Sequence, residues 1–172
     1  MAFLVRKLNK RENIDKIGTA EDIKELYADA PTSEFRTKNG TLSTWFIDSL
    51  NSLDQAVLAI VVTSTEISKM DFAIINMDIL DKNGLKYEQT YAGVDIAVPA
   101  LQDTHYDIEN ITIPKLVNCA KVFKEVYQLD EDEERFIVRY TEGDIKELLN
   151  RANSNGEIDL NRLNKGIKKA LG

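Results

Sequence analysis

The only histidine, His105, stands between two acids in Asp103-Thr-His-Tyr-Asp107. A carboxylate two residues from an imidazole can orient the ring and hold its proton, as general bases and the surroundings of metal ligands require. His105, Asp103 and Asp107 are therefore the catalytic candidates, and a metal-assisted hydrolase would be assembled in the segment 92–113 around them. The pattern is weakly specific, because 29 acids make such neighbours common by composition. Its plainer reading is a histidine that braces a loop.

Other chemistry is sparse. Cys119 falls on the inward stripe of a predicted helix, where a thiol acts as a small hydrophobe and lacks the electropositive, accessible setting of a nucleophile. Ser43, Ser49 and Ser52 fit strand, turn and cap positions, and there is no G-x-S-x-G. No phosphate-binding G-x-x-x-x-G-K-[ST] and no G-x-G-x-x-G is present. One cysteine and one histidine cannot supply a structural zinc set. Neither a metal site nor a cofactor is expected.

Arg6, Lys7, Lys10, Arg11 and Lys16 form a basic cluster, and Lys165, Lys168 and Lys169 a second. Glu12 and Asp15 interrupt the first, and 22 bases against 29 acids give a net charge of -7. That balance disfavours a phosphate-neutralising surface, leaving nucleic-acid binding through the basic N-terminal region as a secondary alternative. A negative field instead favours a basic partner. The binding candidates are Arg36, Lys38 and Asn39 in a flexible turn, with Trp45 and Tyr91, since arginine and aromatic side chains are enriched where partners anchor. Trp45, in an apolar strand, reads first as core.

A lone cysteine gives no internal disulfide, the first residues place apolar groups before charges, opposite to a signal peptide, and the apolar run 56–62 is far short of the ~20 residues that span a bilayer. The chain reads as cytosolic, without a membrane segment.

The positioning elements follow from periodicity. A strand is expected over 2–8, then a polar linker, then a helix carrying Ile23, Leu26, Tyr27 and Ala30 that Pro31 ends. The stretch 36–62 should form the centre of the core. There Asn39-Gly40 makes a turn, and a strand puts Leu42, Thr44 and Phe46 on one face and Trp45 and Ile47 on the other. Ser52 and Gln55 have capping-box spacing before a helix apolar nearly all round, 53–62. A second strand at 71–77 suggests a crossover with two parallel strands, and Asn83-Gly84 suggests a hairpin from Phe72 to Tyr91. Residues 92–113 read as a long packed loop, the best place for a site beside the turn at 36–41.

Pro114 starts a helix with Leu116, Cys119, Ala120, Phe123 and Tyr127 inward. Five acids, 130–134, then precede a strand over 135–141. Thr141 with Asp144, and Asp159, cap two C-terminal helices, the first ended by Asn155-Gly156 and the second carrying Leu160, Leu163, Ile167 and Leu171. The expected architecture is α/β or α+β. It is a single domain with a mixed β-sheet and a buried helix after the Trp45 strand, comprising a core over 1–141 and a C-terminal helical hairpin over 142–172 packed on it. The expected function is a small non-catalytic protein that binds a macromolecular protein partner in an accessory, regulatory or immunity-type role. A homo-oligomer through an open sheet edge is a further expectation.

Overall fold

A computed structural model describes residues 2–37, 39–92, 95–130 and 136–171. Its strands are β1 (Phe3–Lys7), β2 (Leu42–Ile47), β3 (Met70–Asn76), β4 (Tyr87–Gln89), β5 (His105–Ile108) and β6 (Ile137–Tyr140). Its helices are α1 (Arg11–Gly18), α2 (Asp29–Glu34), α3 (Leu53–Val62), α4 (Met77–Lys82), α5 (Ile113–Leu129), α6 (Glu142–Ser154) and α7 (Lys165–Leu171). The strands make one sheet in the order β4-β5-β2-β1-β3-β6, antiparallel at every described pairing. Sheet and helices together are an α+β fold.

β1 occupies the centre because Phe3, Leu4 and Val5 bury side chains on both faces. Register aligns Val5 with Trp45 on one side and Ile74 on the other. By alternation, Phe3, Ile47, Phe72 and Tyr140 share that face. α3 covers it, and Tyr140 donates to Asp54 of α3 at 2.7 Å. Leu4, Arg6, Leu42 and Thr44 point the other way, toward the layer of α1, α2 and α5, where Phe35 meets Phe123 at 4.8 Å. α3 is buried from Ala56 to Val62 because the sheet, α6 and a 3-10 turn at Pro99–Thr104 surround it. α7 comes close to the chain after α3. Asn164 donates to the Ser64 carbonyl at 2.7 Å, and a Cβ on Gly166 would lie 2.1 Å from the Thr65 oxygen.

Several expectations need correction. β2 and β3 do run in the same direction around α3, but they are not neighbours, because β1 is inserted between them and pairs with both. No parallel pairing results. The hairpin from Phe72 to Tyr91 does not form; α4 intervenes. Asn76 starts it by accepting from Asp78 N at 2.9 Å, and Gly84 at φ 64° ends it, with Gly84 N bonded to Asp81 O and Leu85 N to Leu80 O. An Asn-Gly pair ends a helix here as readily as it turns a hairpin.

The polar linker contains α1, whose Ile14 and Ile17 are fully buried. The helix expected over 19–30 is instead a 3-10 turn, Ile23–Glu25, broken at extended Leu26. Pro31 opens no break, since it lies in the first turn of α2, where its missing N–H is not needed. Ser52 forms no capping box: it lies in a 3-10 turn leading into α3, and its hydroxyl donates to Asp48 at 2.8 Å. The segment 92–113 is not a structureless loop, since it holds the Pro99–Thr104 turn and β5. α7 begins only at Lys165, leaving Leu160 exposed, while Asp159 starts a turn through Asn161 N. Of the acid run, 131–134 lie outside the described residues, and Asp130 accepts from Ile137 N at 2.7 Å.

Other readings hold. Pro114 lies at the start of α5, Thr141 and Asp144 form a reciprocal capping box on α6, and Asn155-Gly156 ends it.

Candidate functional site

β5 brings His105 and Asp107 to one face two residues apart, and Thr90 joins them. The Thr90 hydroxyl lies 2.9 Å from His105 Nδ1 and donates to Asp107 Oδ2 at 3.0 Å. Its single proton is thus committed to Asp107, so Nδ1 carries the hydrogen that Thr90 accepts. Ser43 also donates to Asp107, at 3.2 Å. His105 is buried edge-on against Trp45, ring centres 5.0 Å apart. Asp103 is exposed on the preceding turn and its carbonyl accepts from Gln89. Thr90, one residue past β4, and Ser43 of β2 thus both bond side chains of β5. Among the described residues no three of His, Cys, Asp and Glu are placed to hold a metal ion.

The binding candidates are dispersed. Arg36 and Asn39 are exposed, the latter at φ 59° in its turn, and Lys38 lies outside the described residues. The turn does touch the 92–113 segment, since Gly40 O accepts from Ile111 N at 2.8 Å. Trp45 is core. Tyr91 is exposed and donates to Asp95, which lies 3.6 Å from Arg162. Cys119 is enclosed, and burial pushes its thiol up to about 12. It is protonated and unreactive at neutral pH.

The basic N-terminal residues do not form one cationic face. Arg6 is buried and bonded to the carbonyls of Ser43 and Glu34, and Arg11 pairs with Asp15 at 3.2 Å and Asp130 at 3.7 Å. Lys7 and Lys10 line a groove that also holds Glu12, Asp15 and Asp71.

The feature that residue types did not announce is apolar. Ile23, Leu26 and Pro31 on one wall, and Ile113, Leu116 and Val117 on the other, line a cavity of about 210 Å³ between the 23–32 segment and the start of α5. Ile113 is 84% exposed, Val117 36% and the neighbouring Tyr27 86%. Leu26 also lines a second cavity of about 440 Å³, where Glu21, Asp22, Glu25 and Asp29 stand with Lys16. The available signal was on α5, where 119, 120, 122, 123 and 126 face inward and the apolar residues 113, 116 and 117 extend beyond that stripe at the helix start. A helix that covers one sheet needs only the inward stripe.

The fold and this groove define an α+β domain with an apolar trough beside an acidic rim. The chain matches no known protein family, no curated protein and no solved structure. Among the described residues no helix is long and apolar enough to cross a membrane.

Proposed function

We propose that this protein is a non-catalytic binding module that docks a protein partner in the groove between the 23–32 segment and α5, in an accessory, regulatory or immunity-type role. The observation that carries the reading is the exposure of Ile113 and Val117 at one apolar groove, with exposed Tyr27 at the adjoining cavity, since such side chains rimmed by charge mark interaction sites. The cavity is smaller than the roughly 300–1,000 Å³ of small-molecule sites, and it suits protruding side chains. The catalytic alternative is left with a histidine enclosed by Trp45 and Thr90 and with an unreactive cysteine.

A displayed peptide library selected on the wild-type protein, with counter-selection on the double variant Ile113→Ser/Val117→Ser, tests the reading. Sequences retained by the wild type and not by the variant are expected. Enrichment indifferent to the double substitution would overturn groove docking, and a hydrolytic activity lost on His105→Ala in a folded protein would overturn the non-catalytic reading.

A further inference from the structure

We propose that the occupant of this groove is an amphipathic helix carrying lysine or arginine beside its apolar stripe. This rests on the docking reading above and adds the partner's chemistry. Both walls are built from helical and turn residues, and no strand edge borders them. An incoming chain therefore finds no ladder of backbone partners and must satisfy its own amides, which a helix does. Apolar side chains at i, i+3 and i+4 would meet the α5 residues Ile113, Leu116 and Val117.

Charge selects the other face of that helix. From 21 to 29 the chain carries Glu21, Asp22, Glu25 and Asp29 against Lys24 alone. All four acids line the cavity that shares Leu26 with the groove. A second copy of this chain would bring the same acids face to face, with a net charge of -7 on each molecule. Nucleic acid and anionic lipid are repelled for the same reason. The groove itself holds Lys24 and no acid, so a cationic helix gains there by apolar contact and gains by charge at the adjoining cavity, where four acids outweigh Lys16.

The test uses the full chain and two synthetic peptides of about four helical turns, one of leucine and lysine, the other of leucine and glutamate in the same order. Amide shifts and calorimetry are followed at low and physiological salt. Expected is binding of the lysine peptide, with shifts at Ile23, Leu26, Leu116 and Val117. Ile113→Ser/Val117→Ser should weaken it about tenfold, and Glu25→Gln/Asp29→Asn should weaken it and flatten its salt dependence. Equal binding of the glutamate peptide in the groove would overturn the cationic partner while leaving groove docking intact. No groove shifts at millimolar lysine peptide, or shifts elsewhere only, would overturn the proposal. Library sequences that depend on the groove yet lack basic residues would overturn the partner chemistry alone.

Discussion

Arg6 bonds the main-chain carbonyl of Glu34, at 3.2 Å, and leaves the carboxylate of that residue to the amides just after β1: Glu34 Oε1 accepts from Asn9 N at 2.9 Å and Oε2 from Lys10 N at 3.1 Å. Both side chains are enclosed, at 9% and 0% exposure. Burial lowers the Arg6 pKa, and the nearby Glu34 charge opposes that shift. Arg6 Nε is the one buried side-chain polar atom without a partner among the described residues. Two charges therefore share the interior by proximity, each satisfied mainly by backbone.

Glu34→Gln should consequently destabilise strongly. It removes the charge that compensates Arg6 and presents a donor amide to the amides of Asn9 and Lys10. Leaving a buried polar group poorly satisfied costs about 1–3 kcal/mol, and urea unfolding should record a loss of that order. A change below about 1 kcal/mol would show that backbone carbonyls alone satisfy Arg6.

Gly18 closes α1 against the ring of Tyr127, and a Cβ there would come 2.1 Å from its Cγ. Exchanging a helical glycine for alanine ordinarily stabilises by up to about 1 kcal/mol. Here the sign should reverse. Gly18→Ala is expected to lose about 1–3 kcal/mol as α1 is pushed off α5, and thermal unfolding of the variant alone and combined with Tyr127→Ala checks it. The second substitution, which removes the ring, should restore the gain from alanine relative to Tyr127→Ala alone.

Cys119 sets an alkaline limit. The folded thiol titrates near 12 against 9.0 for the free side chain, so the unfolded state loses its proton first as pH rises. The protection is complete below about pH 9 and declines from there toward 12, on the order of 1.4 kcal/mol per pH unit. Between pH 9 and 10 the wild type should lose more stability than Cys119→Ala, measured as the difference of their denaturation midpoints. Parallel pH dependences would refute the assignment.

How much was legible follows from distance along the chain. The Thr141–Asp144 cap, the all-apolar α3 and Pro114 each depend on residues within a turn or two, and local pattern placed them. Ile14 and Ile17 are as local, yet two apolar residues in an eight-residue helix are too few for a periodicity to stand out. The insertion of β1 between β2 and β3 is invisible in a strand-helix-strand order, since pairing partners are chosen by the whole sheet. His105 and Asp107 are two residues apart in sequence, but Thr90, which joins them, comes from just past β4. The groove needed Leu26 and Leu116 together, each of which read alone as part of an ordinary amphipathic stripe.

The central position of β1 has a consequence for how the chain is made. Phe3, Leu4 and Val5 are translated well before their partners Ile47 to Trp45 and Asn76 to Ile74. An apolar strand with both edges open thus waits on the ribosome while two further strands and α3 are synthesised. Its pairings span long sequence separations, which slow folding. Aggregation of nascent or refolding chains should begin at this strand. Deleting it would leave a pair of sheet fragments with no shared edge.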